Sequence, residues 1–196
     1  MSDYKIILGF VAIAFGLGSY APYFWYIYKG KVKPHAFTWF VWGTATGIGF
    51  AAITVAGGGP GAWEMAVNSV LCFTVAGIGL YQRHVKYVVF DWLALIGALL
   101  GLFLWWLTNN PLAAIILLSI SDAVGFLPTY RKVYLYPHEE KPGPWIMGII
   151  KYVIVLFALD SFTVTTWLYP ATILLVDITF TTLMIIRQKQ MRKRIL

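Results

Sequence analysis

Long apolar blocks alternate with short polar gaps along this chain. The blocks fall at about 4–28, 36–57, 62–82, 88–107, 111–134, 144–160 and 162–186, and the gaps read KGKVKPH, GGGPG, QRHVK, TNNP, YPHEEKPG and DS. A helix needs about 20 apolar residues to cross roughly 30 Å of hydrocarbon, and each block approaches or exceeds that length. Isolated strands leave their backbone groups unsatisfied in lipid, and the blocks are too long and too uniformly apolar for barrel strands. The pattern therefore predicts an all-α integral membrane protein of seven transmembrane helices. The first block is longer than the apolar core of a signal peptide and reads as a retained span.

Composition agrees. The chain is 60% hydrophobic and only 12% charged, against about 25% in soluble domains. A net charge of +7 would suggest nucleic acid in a soluble protein. Here thirteen of the fifteen Lys and Arg residues sit in alternate gaps and at the C-terminal end: Lys29, Lys31, Lys33, Arg83, Lys86, Arg131, Lys132, Lys141, Arg187, Lys189, Arg192, Lys193 and Arg194. Topology accounts for that charge and no nucleic-acid partner is expected. The positive-inside rule puts the N-terminus outside and the C-terminus in the cytoplasm, which requires an odd number of spans, in a cytoplasmic (inner) membrane. The lone Cys72 excludes an internal disulfide and a multi-cysteine metal site. No zinc-protease, nucleophile-elbow or phosphate-loop motif is present, so no enzyme, cofactor or metal is expected.

One stretch occurs twice. Residues 19–39 read SYAPYFWYIYKGKVKPHAFTW and residues 125–145 read GFLPTYRKVYLYPHEEKPGPW. Both hold a proline at the fourth position (Pro22, Pro128), a tyrosine at the tenth (Tyr28, Tyr134) and a final tryptophan (Trp39, Trp145). Each joins two spans through a basic loop, and a third span follows. The layout is two triple-helix repeats, 4–82 and 111–186, linked by a single span 88–107 and followed by a basic cytoplasmic tail 187–196. Three spans reverse the chain, so the linking span restores direction and makes the repeats parallel, a known transporter plan. A proline removes one backbone hydrogen bond and kinks a helix. At matched depth in both halves, Pro22 and Pro128 are candidate hinges.

The layout, with Ala21-Pro22-Tyr23 before Lys29-Gly30-Lys31 and Leu127-Pro128-Thr129 before Arg131-Lys132, resembles the PQ-loop superfamily, which includes the SWEET sugar facilitators, and within it a bacterial branch. The resemblance implies a 3+1+3 fold, a solute path between the repeats, and a pathway role for Asp177, which matches in position a polar residue of the last span.

Ionisable residues inside spans are costly and are functional candidates by default. Glu64 and Asp160 are expected at the outer surface and Asp91 at the inner one. Three others lie deeper: Asp122 about 16 Å in from the outer face, Lys151 about 10 Å in from the inner face, and Asp177 about 22 Å in from the outer face. All three reach a common level. They are expected to meet as two acids and one base, either as a fixed network or as a site for a substrate or coupling ion. A spare carboxylate suits proton coupling or a cationic group. Asn68 is a weaker pathway candidate. The small residues of span 2, Gly43, Thr44, Thr46, Gly47 and Gly49, read as a packing surface, and Trp39, Trp63, Trp145 and Trp167 as an interfacial belt.

The expected function is a small-solute transporter working by alternating access, with protons as a coupling ion and membrane lipid as its surroundings; a homo-oligomer is compatible with this layout. The competing expectations are a receptor or sorting protein on the same fold, and a structural membrane subunit.

Overall fold

The computed structural model describes residues 3–31, 34–83 and 89–195; Lys33 and Lys86, counted above among the loop charges, lie outside them. The described residues form α1 (Asp3–Tyr28), α2 (Ala36–Val55), α3 (Trp63–Tyr81), α4 (Val89–Thr108), α5 (Leu112–Gly125), α6 (Leu127–Leu135), α7 (Pro142–Ala158) and α8 (Val164–Ile195), with 3₁₀ turns at Gly59–Ala62 and Pro137–Glu139, and contain no strand.

Six segments are long and apolar enough to cross a membrane: Asp3–Tyr28, Ala36–Val55, Gly59–Tyr81, Val89–Thr108, Leu112–Leu135 and Val164–Met191. The seventh apolar helix, α7, has 17 residues, about 25 Å and at the lower limit for a span. The surface is inverted relative to a soluble protein. Phe10, Leu100, Phe103, Trp106, Phe157 and Leu175 face outward, while Glu64, Lys151 and Asp177 are buried. Water would favour the opposite arrangement, so the pattern is consistent with a multi-pass membrane protein.

Glycines end the helices where the sequence places polar gaps. Gly30, at φ +67°, follows α1; its N–H donates to the Ile27 carbonyl, and Lys31 N–H donates to Tyr26. Gly57, at φ +81°, ends α2 in the same way, with Gly57 N–H on Thr54 and Gly58 N–H on Ile53. Both are Schellman stops, which need a left-handed residue that glycine adopts without strain. The start of α8 is held by Thr166, whose hydroxyl oxygen accepts the Thr163 N–H at 2.9 Å. Such a bond satisfies one of the orphan donors at a helix start.

α3 packs on α1 and α2, and α8 packs on α5 and α7. α1 also lies along α7, and α2 meets α4, α5 and α8. α4 rests on α5, where an added Cβ on Gly101 would stand 3.0 Å from Ala114 Cα. The small residues of α2 serve packing: Gly43 faces the Phe73 ring, Gly47 the Ser69 hydroxyl and Gly49 the Tyr169 ring.

The two matched prolines sit in different local structure. α1 runs unbroken through Pro22. The corresponding segment of the second stretch is divided at Phe126 into α5 and α6, with Pro128 in the first turn of α6. The basic segment expected as a tail continues α8 as helix to Ile195. It is tied to the loop after α6: Gln188 Nε2 donates to the carbonyls of Pro137 at 2.7 Å and Glu140 at 3.1 Å. Arg187 donates to the Tyr134 carbonyl at 3.1 Å and lies over its ring.

Candidate functional site

Lys151 projects from the middle of α7 into the bundle, and its Nζ lies 2.9 Å from Glu64 Oε1. Glu64 stands in the first turn of α3 and is 2% exposed. Glu64, expected from the sequence at the outer surface, is thus buried within the protein and paired with Lys151. The reason is the loop before it. Pro60, Gly61 and Ala62 are buried. Gly9 of α1 admits Pro60, and Gly61 lies against the backbone of Leu159, where an added Cβ would meet atoms at 2.9 and 3.0 Å. The turn folds inward over α1 and α7, so the first turn of α3 begins beneath a lid of backbone. The long lysine stem covers the remaining depth, as such stems do when their charge seeks a partner.

Lys151 makes no ion pair with Asp122 or Asp177. Asp177, on α8, is 5% exposed and lies within electrostatic reach of Lys151 and Asp122. Tyr152, beside Lys151 on α7, is within reach of Glu64, Asp122 and Asp177. The Glu64–Lys151 pair thus has Asp177 within electrostatic reach, and Asp177 in turn has Asp122 of α5 within reach. Neither aspartate forms a hydrogen bond or ion pair within the described residues, and Glu64 Oε2 is buried with no hydrogen-bond partner. A buried carboxyl with no partner is neutralised by a proton or faces a cation.

Glu64, Asn68 and Cys72 follow at i, i+4 and i+8 along one face of α3. Tyr20 of α1 meets that face, donating to Asn68 Oδ1 at 3.0 Å and lying 3.2 Å from Cys72 Sγ. Asn68, a candidate pathway residue by sequence, therefore has a partner in α1. Gly16, one turn before Tyr20, keeps α1 close to the ion pair: an added Cβ would stand 3.1 Å from Glu64 Oε1 and 3.7 Å from Lys151 Cδ. Gly148 does the same for Asp177, where an added Cβ would lie 2.8 Å from Oδ2. Gly148→Ala is expected to cost about 1–3 kcal/mol by overpacking. Gly77→Ala, which meets nothing within 4 Å, is expected to cost nothing. Denaturant titration of the two variants in mixed micelles compares them.

The end of the bundle opposite the basic loops is tied shut. Lys5 Nζ donates to the Leu159 carbonyl at 2.7 Å and lies 3.7 Å from Asp160 Oδ1. Asp160 N–H donates to the Gly58 carbonyl at 3.1 Å. At the basic end, Tyr20 meets Trp39 edge-on at 5.8 Å, and Phe126 meets Trp145 edge-on, also at 5.8 Å. Open hollows lie at that end, one lined by His138, Pro142, Ile185, Gln188 and Lys189. Among the described residues no three His, Cys, Asp or Glu side chains gather as a metal site. No protein-family model, curated protein or solved structure matches the chain.

Proposed function

We propose that this protein moves a small solute across a membrane by alternating access between two parallel three-helix repeats, on the plan of the PQ-loop and SWEET-like transporters. The observation that carries the reading is the buried ion pair. Glu64 and Lys151 come from different halves of the chain and meet at 2.9 Å inside an apolar bundle. A further carboxyl, Asp177, lies within electrostatic reach of Lys151, and Asp122 within reach of Asp177. Charge placed so expensively in a membrane is characteristic of a pathway.

Helix order supports the repeat. Within each half, the third helix packs between the other two: α3 on α1 and α2, α8 on α5 and α7. Between halves the contacts are reciprocal, α1 with α7 and α5 with α2. The matched aromatic pairs, Tyr20 with Trp39 and Phe126 with Trp145, fit the same relation. In this reading the basic end faces the cytoplasm, and the tied end is a closed outer gate.

Asp122 and Asp177 are the proposed coupling residues. Asp177 lies against Gly148 of α7 and within electrostatic reach of Lys151, so a proton on it changes the charge around Lys151. Asp177→Asn is expected to remove the pH dependence of transport while leaving the protein folded, read as uptake into proteoliposomes across a pH series. The hinge is assigned chiefly to Pro128, since the helix is interrupted there and continuous at Pro22. Pro128→Ala is expected to slow transport several-fold with normal membrane insertion, and Pro22→Ala to slow it less; equal, full rates in both variants would remove the hinge.

The alternative is a receptor that binds without transporting, favoured by the open hollows at the basic end. Solute uptake by purified protein in proteoliposomes, measured in both directions for sugars, amino acids, amines and nucleosides, separates the two. Saturable binding with no flux would establish the receptor.

A further inference from the structure

We propose that Glu64 and Tyr152 form a recognition site for a small organic ammonium ion, occupied in this conformation by the protein's own Lys151. The proposal deepens the transport reading by naming the class of solute. Its test reads binding alone, so it can fail while transport of another solute stands.

The Lys151 ammonium is held as a ligand would be. It meets one carboxylate oxygen of Glu64 at 2.9 Å and lies 4.5 Å from the centre of the Tyr152 ring. A carboxylate beside an aromatic face is the combination that selects ammonium groups in desolvated sites. The site has unused capacity, because Glu64 Oε2 is buried and accepts no hydrogen bond.

Lys151 also has somewhere to go. Asp177 is 5% exposed, has no ion pair or hydrogen bond among the described residues, and lies within electrostatic reach of Lys151. Gly16 and Gly148 carry no side chain at the two acids: an added Cβ would stand 3.1 Å from Glu64 Oε1 and 2.8 Å from Asp177 Oδ2. An arriving ammonium takes Glu64, and Lys151 turns to Asp177. One new cation then meets one formerly unpartnered carboxylate, and every cation in the centre has an acid. A neutral solute gains nothing from this exchange, and an anionic one meets the carboxyls of Glu64 and Asp177. The tethered lysine thereby keeps Glu64 paired when no solute is present.

The test uses the purified full chain in detergent, with thermal unfolding followed against methylammonium, propylammonium and 1,4-diaminobutane chlorides. Potassium chloride at equal ionic strength and glucose serve as controls. The expected result is a saturable rise in midpoint with the ammonium salts only. Lys151→Met keeps the Glu64 carboxyl in place and removes the internal competitor. It is expected to bind propylammonium about tenfold or more tightly than the parent, because no occupant has to be displaced. If Lys151→Met folds only when purified with propylammonium present, that dependence supports the site equally. The double variant Glu64→Gln/Lys151→Met removes both charges together and is expected to show no response. The proposal is overturned if neither the parent nor Lys151→Met responds to any ammonium salt, or if the double variant responds as well as the parent.

Discussion

Lys151→Met, studied without added amine, is expected to lower the stability of the protein by about 3–5 kcal/mol, the usual cost of leaving one member of a buried ion pair alone. Glu64 is 2% exposed, and its second oxygen already lacks a donor. Without Lys151 the carboxylate has no cation at hydrogen-bonding distance. The surrounding helices cannot open to admit water cheaply, because Gly16 of α1 brings backbone against the pair. Replacing both partners by apolar residues, as in Glu64→Leu/Lys151→Met, is expected to recover most of the loss, since the desolvation cost disappears along with the attraction. Denaturant titration in mixed micelles measures all three proteins. If Lys151→Met is as stable as the parent, the ion pair is not what holds α3 to α7.

The second large effect is expected from a disulfide across the tied end. An ideal Cβ on Gly57 would stand 3.7 Å from Ser161 Cβ, close to the mean separation of about 3.8 Å in disulfides. The variant Gly57→Cys/Ser161→Cys should oxidise readily, while Cys72 is buried and stays out of the exchange. The bond closes a loop of about a hundred residues, worth roughly 4–5 kcal/mol in the chain-entropy picture. Gly57 has φ +81°, so a side chain there returns about 1–2 kcal/mol of that gain. The oxidised protein is expected to be more stable, to lose nearly all solute flux, and to regain flux on reduction. Full flux through the oxidised protein would mean that this end does not open, and the gate assigned to it would be withdrawn.

Much of the architecture was legible without coordinates because membrane insertion imposes one-dimensional rules. Block length against bilayer thickness predicted seven spans; six described segments are long enough to cross, and the seventh apolar helix, α7, has 17 residues. The gaps at Gly30 and Gly57 were readable as stops because few residues other than glycine accept a left-handed backbone. Near the C-terminal end the same reading ended span 7 at about 186. Hydropathy falls there although the backbone continues as helix, held by Gln188 on the neighbouring loop. The difference between Pro22 and Pro128 was equally hidden. A proline permits an interruption, but neighbouring packing decides whether one occurs.

The charged centre divides most sharply. Sequence alone determined that Asp122, Lys151 and Asp177 sit in apolar helices, and that such residues need partners. It also gave an expected depth for each, since residue number times helical rise measures distance along one axis. Only the tertiary structure decided which acid receives the lysine. That choice depends on the rotation of each helix about its axis, and on the inward fold of Gly59–Ala62, which begins α3 with Glu64 buried and in contact with Lys151. Depth is one coordinate of three, and a contact between side chains requires all of them.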